Sequence, residues 1–357
     1  MFKASPARII TYLVILLTLL GLLMVGNASS VTAFRDFGDK WHYFKSQSVW
    51  TIVGLTGFFI LRRVNPERIE RLALPLLIAS VLMLVLVLIP GIGIKVLGAR
   101  RWLNFGFATF QPSELAKLSL CVYLAALLKN HQPLAPFLAV VTTFSLLVMF
   151  QPDLGTTLIL VGICASQFIS SGGKLAKIVL VAPLAAVILG LFIFTSPYRT
   201  ARLKTYLNHS QDPLGSSYQV RQAILGLGSG GLFGLGLGES RQKYDFLPEV
   251  ATDSIFTIVG EELGFMGAGL LIIAYTTLVI LGFKVAASAK SRFLSLLAVG
   301  ISSWFGLQAF INISANVALL PFTGIPLPFV SYGGSALLLN LLASSLLVGI
   351  AKRYNNQ

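Results

Sequence analysis

Pro321-Phe-Thr-Gly-Ile-Pro-Leu-Pro-Phe-Val-Ser-Tyr-Gly-Gly334 lies inside a stretch, Phe293 to Ala351, that contains no Asp, Glu, Lys or Arg. So long a run cannot be one membrane helix, because a bilayer core about 30 Å thick takes about 20 apolar residues. The three prolines and three glycines of the quoted segment cannot continue a helix, since proline lacks an amide hydrogen and clashes with the preceding turn. The stretch is therefore two spans, nine and ten, joined by irregular chain. Charge-free runs recur towards the N-terminus, at Ile9 to Gly26, Ser46 to Leu61, Leu72 to Pro90, Leu134 to Phe150, Leu154 to Gly173, Ile178 to Pro197 and Leu263 to Phe283. Pro112 to Leu128 is a further span, although it carries Glu114 and Lys117. The pattern predicts an all-α polytopic membrane protein with about ten transmembrane helices. The first run is too long and uninterrupted for a cleaved signal peptide and is read as a retained helix.

Composition agrees. Of 357 residues 55% are hydrophobic and 11% charged, against about 25% charged in soluble domains, and the mean hydropathy is +0.82. Soluble, disordered and collagen-like classes are excluded. Cys121 and Cys164 fall in apolar runs, which argues against a disulfide framework or a cysteine metal site. The net charge of +14 does not imply nucleic acid, because the basic residues are scattered between apolar runs without a basic-aromatic cluster. It is a topology signal. One set of alternate loops and termini holds 14 basic residues against two acids, Glu67 and Glu70, whereas the other is nearly balanced. The basic set faces the cytoplasm, so both termini are cytoplasmic. The long loop, residues 198–252 between spans seven and eight, is then extracytoplasmic, with some attraction of the basic face to anionic lipid.

Every unusual polar cluster falls towards the outer face. Glu114 and Lys117, three residues apart on span four, share one helix face. They form either an ion pair that only lets the helix insert, or the wall of a polar cavity. Arg100 and Arg101, in Gly98-Ala-Arg-Arg-Trp102, are headgroup anchors or a phosphate site, since guanidinium forks match phosphate oxygens. Asp153, in Gln-Pro-Asp-Leu-Gly-Thr, suits a helix N-cap as well as it suits catalysis. Glu261 and Glu262 call for a partner that the sequence does not name. Seven of the 13 residues from Gly226 to Gly238 are glycine; with neither a Walker ending nor a dinucleotide fingerprint, this density implies tight backbone packing and a re-entrant course. Asp253, in Ala-Thr-Asp-Ser-Ile-Phe, is either a plain N-cap or, with Asp245 and Glu249 on the same face, a general base or metal ligand.

Taken in order, Gly-Ala-Arg-Arg-Trp102, Gln111-Pro-Ser-Glu-Leu-Ala-Lys117, Gln151-Pro-Asp-Leu-Gly-Thr156, the glycine-rich loop, Leu-Pro-Glu249, Thr-Asp253, Gly260-Glu-Glu-Leu-Gly264 and Pro326-Leu-Pro-Phe-Val-Ser-Tyr-Gly-Gly334 resemble the SEDS proteins (shape, elongation, division, sporulation). The resemblance runs from about residue 90 to the C-terminus, and the Gly-Leu-Gly-Glu-Ser-Arg-Gln-Lys stretch is more similar to the family's division members than to its elongation members. It implies one transmembrane domain over residues 1–357 and a peptidoglycan glycosyltransferase that polymerises lipid II at the outer face of the bacterial cytoplasmic membrane. A class B penicillin-binding protein is the implied partner, alongside other divisome or elongasome membrane proteins. On this resemblance the essential aspartate is Asp253, the acid–base pair of helix four is Glu114 and Lys117, and the loop arginine is Arg101. The family usually has a histidine two residues before that aspartate, where this chain has Ala251.

The implied reaction releases a polyprenyl pyrophosphate, so Arg100, Arg101, Lys117 or a divalent cation (Mg²⁺ or Mn²⁺) held by Asp253 would stabilise the departing charge. Asp253 is otherwise the base for the acceptor hydroxyl, with Asp245 and Glu249 as further substrate contacts. Two rivals are a flippase for the lipid-linked precursor, which proline-broken spans also suit, and a non-enzymatic division scaffold.

Overall fold

The computed structural model describes residues 5–96, 98–106, 108–174, 218–244 and 246–353. The helices are α1 (Pro6–Ala28), α2 (Ser30–Phe37), α3 (His42–Leu61), α4 (Ala73–Leu86, entered through a 3-10 turn, Pro66–Leu72), α5 (Pro112–Leu128), α6 (Leu134–Phe150), α7 (Leu154–Ser170), α8 (Tyr218–Ser229), α9 (Ile255–Ser288), α10 (Arg292–Asn316) and α11 (Gly334–Lys352). Nine of the ten expected spans are helical among the described residues; the seventh, Ile178 to Pro197, lies outside them, as do residues 198–217 of the long loop. Five described helical segments, α1, Pro66–Leu86, α9, α10 and α11, are long and apolar enough to cross a membrane, and α6 and α7 are shorter apolar helices.

Burial shows which surfaces meet lipid. On α1, Tyr12, Leu16, Leu19 and Leu23 are exposed while Ile10, Val14, Leu17 and Met24 are buried, so a helical period separates a lipid face from a protein face. Helices α10 and α11 are buried nearly all round and form the centre. Around α10 pack α5, α7, α9 and α11; α3 and α1 close the far side of α11.

Three elements go beyond the helical spans expected from the sequence. Gly91 to Gln111, read only as an outer segment, holds an antiparallel sheet of β1 (Gly93–Val96), β2 (Ala99–Asn104) and β3 (Thr109–Phe110), ordered β1-β2-β3 and bulged between Ile94 and Lys95. Strands this short, set among apolar runs, carry too little period-two signal to be read. The short helices α2 and α8 are the second and third additions. Span eight begins at Ile255, just past the end of the 198–252 loop as expected, and its helix α9 is broken at Gly264 (φ 68, ψ −169), where the charge-free run from Leu263 begins.

That break explains the glycine-rich loop. It frees the carbonyls of Glu261 and Glu262 and the amides of Phe265 and Met266, all of which need partners away from water. The loop backbone supplies them. Leu235 and Gly236 donate to the two carbonyls (3.0 and 3.1 Å), and Gly231 and Leu232 accept from the two amides (2.9 and 3.1 Å). Gly234 (φ 84) lies so close that a Cβ would collide with the Glu262 backbone. The two glutamate side chains complete the clamp and are structural. Glu261 accepts from the Arg241 amide (3.0 Å) and the Ser240 hydroxyl, and Glu262 from the Ser240 amide (3.2 Å) and the Asn27 side chain of α1. Gly264 has a backbone conformation available essentially to glycine alone. Gly264→Ala is therefore expected to lose at least about 1–3 kcal/mol, seen as a lower thermal midpoint in detergent. Gly269→Ala, at a helical position with open space around it, should be neutral or slightly stabilising.

Candidate active site

The broken charge-free stretch, the start of α9 and the start of α5 meet beneath the small sheet. The residues before α9 are fixed through their backbone. Tyr332 donates its amide to Ala251 O (2.7 Å), the Ser331 hydroxyl donates to Thr252 O, and Asp253 O accepts from the side-chain amides of Asn312 (2.9 Å) and Asn316 (2.8 Å). Three successive carbonyls are thus each held from the proline-glycine segment or from α10. Asn312 also donates to Ile325 O (2.8 Å), and Thr257 donates to Asn316 Oδ1 (2.8 Å), so both asparagines are themselves oriented. Asp253 is not the cap of α9: the capping position is Ser254, which makes no side-chain capping bond. The plain N-cap reading of Asp253 is corrected accordingly. Ala251 needs no side chain to hold the turn, since its carbonyl does so.

The α5 pair is deeply buried. Lys117 Nζ donates to Glu114 Oε1 (2.7 Å) and to Gln308 Oε1 (2.7 Å), and lies 5.0 Å from the ring centroid of Trp304. Trp304 Nε1 shares the same Gln308 oxygen (2.7 Å), and Gln308 Nε2 donates to Pro326 O (2.8 Å). Glu114 Oε2 is buried without a hydrogen-bond partner among the described residues.

Glu114, Lys117, Arg101, Asp153, Glu249 and Asp253 all line one cavity of about 790 Å³, closed by Trp50, Trp102 and Tyr332. Of the residues singled out in the sequence, Arg100 does not line it, and Asp245 lies outside the described residues. Arg101 donates Nε to Gln151 O (3.0 Å) and an Nη to Pro152 O, so its fork holds the turn before α7 and only part of its donor set faces the cavity. Asp153 caps α7, accepting from the Thr156 amide (3.0 Å) and hydroxyl (2.8 Å). Glu249 has φ 53, and the Thr252 hydroxyl stands between two carboxylates, 2.9 Å from Glu249 Oε2 and 3.5 Å from Asp253 Oδ1. Sequence reasoning missed Gln308, Asn312 and Asn316. Their signal was present, since three amides four residues apart in a charge-free run share one helix face.

A polytopic helical membrane protein with a charge-lined polar cavity between helix ends is the class that fold and site define. The chain belongs to the SEDS family: residues 7–356 match the profile of the cell cycle proteins FtsW, RodA and SpoVE. Stage V sporulation protein E of Bacillus subtilis (strain 168) is 38% identical, over 98% of this chain and 98% of its own length. The probable peptidoglycan glycosyltransferase FtsW of Trichlorobacter lovleyi is 37% identical, over 97% and 95%. Among solved structures, a chain of a peptidoglycan synthase complex that coordinates polymerization and crosslinking matches with a TM-score of 0.79 at 26% identity, covering 98% of each chain. The rod shape determining protein RodA of Thermus thermophilus matches with a TM-score of 0.72 at 27% identity, covering 99% of this chain and 98% of its own. Identity to the sporulation and FtsW relatives (38% and 37%) exceeds that to RodA (27%), which makes the chain more like FtsW than like RodA. It is a multi-pass protein of the cytoplasmic membrane.

Proposed function

We propose that this cavity is where the chain, a peptidoglycan glycosyltransferase, joins two lipid-linked sugars of lipid II, with Asp253 as general base. The observation that carries the reading is the fixing of the three carbonyls of residues 251–253, which holds a nearly buried carboxylate at the wall of a cavity lined by the Glu114–Lys117 pair. Positioning of this kind is what a base needs, because its contribution depends on hydrogen-bond reach to the proton that it takes. Asp253 accepts the proton of the acceptor hydroxyl; that oxygen forms the new bond to the donor's anomeric carbon while the bond to the pyrophosphate oxygen breaks. The cavity must then balance negative charge on the departing pyrophosphate. Lys117 supplies a buried cation, partly neutralised by Glu114, and Arg101 supplies its remaining donors. The unpartnered Glu114 Oε2 is an acceptor left for a substrate hydroxyl or amide.

A divalent cation fits only in part. Among the described residues no three His, Cys, Asp or Glu side chains converge as a ready-made site, but Mg²⁺ usually takes one or two carboxylates and completes its shell with water and substrate phosphates. Asp253 and Glu249 would hold it, and it would neutralise the pyrophosphate. The crosslinking partner is read as a class B penicillin-binding protein, a reading supported by the likeness to a synthase-complex chain.

Purified protein offered lipid II, with and without a class B partner, should yield glycan strands resolved by size. Transbilayer movement of lipid II without polymer would favour the flippase instead, and neither product nor movement would favour the scaffold.

A further inference from the structure

The cytoplasmic end of the bundle carries a second cavity, of about 600 Å³, lined by Ile60, Arg63, Val64, Asn65, Arg68 and Arg353. It forms where α3 and α11 end side by side. Gly349 of α11 sits tightly against Pro66, where a Cβ would press on the proline ring, which draws Arg353 onto the corner made by residues 62–68. Asn65 fixes that corner by accepting from the Glu67 amide through Oδ1 (3.0 Å), which leaves its amide hydrogens to donate.

The polar lining of this cavity is almost wholly donors. Among the described residues, Arg63, Arg68 and Arg353 make no ion pair, and no carboxylate lines the cavity. Of the two acids in the 3-10 turn, Glu70 is taken by Lys129, and Glu67 is exposed and does not line the cavity. Arg62 adds positive charge beside them, stacked 4.4 Å from the Phe59 ring, with Nε buried and without a hydrogen-bond partner among the described residues. Surface anchoring alone would let such long side chains spread apart in water. Here all three, though exposed, line one concave site, and a phosphate, with acceptors only, suits guanidinium forks brought together in this way. The remaining wall is apolar: Ile60 is 62% exposed on the lipid side of α3, so a ligand seated here has hydrocarbon beside it as well as guanidinium groups.

We infer that this cavity binds the phosphate headgroup of an anionic phospholipid of the inner leaflet, with Arg63, Arg68, Arg353 and the Asn65 amide on the phosphate oxygens and an acyl chain along Ile60. The site is separate from the glycosyl-transfer cavity, and this inference does not depend on that assignment.

The full chain, purified in detergent, is titrated with diphosphatidylglycerol or with phosphatidylcholine, and bound lipid is counted by native mass spectrometry. Wild-type protein should retain diphosphatidylglycerol and not phosphatidylcholine. Each basic contact near anionic lipid is worth about fivefold in affinity, so the Arg63→Gln, Arg68→Gln, Arg353→Gln triple variant should bind about a hundredfold more weakly. Arg8→Gln, Lys174→Gln, Lys284→Gln removes the same charge from the same membrane face away from the cavity and should bind as wild type does. Because the pocket triple could misfold, the single Arg68→Glu variant is measured alongside, with thermal midpoints for all; it too should lose the lipid at an unchanged midpoint. Equal loss in the control triple would reduce the effect to general surface attraction and overturn the inference. So would unchanged binding by the pocket variants, and so would displacement of the lipid by millimolar inorganic phosphate, which would assign the cavity to a soluble anion.

Discussion

Asp253→Asn is expected to lower the rate of glycan polymerisation by about 10² to 10⁴ in a protein that inserts, purifies and melts like the wild type. The separation of rate from stability follows from how the residue is held. Its carbonyl, not its carboxylate, receives Asn312 and Asn316, and asparagine keeps that carbonyl and nearly the same volume. The capping position of α9 is Ser254, so no cap is lost. What asparagine cannot do is accept a proton from a sugar hydroxyl or hold a cation as a carboxylate does. Polymerisation of lipid II, followed as strand length against time beside a thermal melt of the same sample, is the measurement. A variant that polymerises at close to the wild-type rate would return the residue to a purely structural role.

The second large effect concerns the pair on α5. Lys117→Met should destabilise the protein by about 3–5 kcal/mol, because it strands Glu114 as an uncompensated buried charge. One of the Glu114 oxygens already lacks a partner among the described residues, and the other loses its only one given by Lys117. Adding Glu114→Gln removes the second charge, and the double variant should regain most of the lost stability, since buried ion pairs are often replaceable without penalty. Activity should not return with it. The paired charges line the same cavity as Asp253, and a neutral pair offers the pyrophosphate no cation. A double variant that recovers rate as well as melting temperature would make the pair an insertion device and nothing more.

The spans were legible because hydrophobicity at helix length is a strong signal, and the position of the proline-glycine break could be read from residues that cannot continue a helix. The acids were legible as oddities in apolar surroundings, but not their roles. Asp153 and Asp253 look alike in sequence, each before a span and each suited to capping; only the first caps, because Ser254 intervenes before the second. Glu261 and Glu262 called for a partner that the sequence did not name; they hold the loop, an outcome set by backbone groups that the break at Gly264 leaves unpaired and that no side-chain pattern announces. Arg101 was open to a headgroup anchor or a phosphate site, yet two of its five donors are taken by carbonyls fifty residues away, a tertiary contact outside any local motif. The amides of α10 were overlooked since neutral polar residues in an apolar run draw less notice than charges, although a carbonyl without a partner is as costly there.

The break in α9 has a consequence for how the protein lives in membranes of unequal thickness. Residues 255–262, before it, are buried throughout, whereas Phe265, Met266, Leu270 and Ile273, after it, are exposed. The first part answers to protein and the second to lipid. A helix that must match a thicker or thinner bilayer does so mainly by tilting, and an unbroken rod would carry such a tilt straight to its tip. Here the carbonyls just before Gly264 and the amides just after it are bonded to the glycine-rich loop instead of to each other, so the lipid-facing rod ends at that joint. A tilt of that rod is expected to be taken up at the joint, while Asp253 is held against α10 by Asn312 and Asn316.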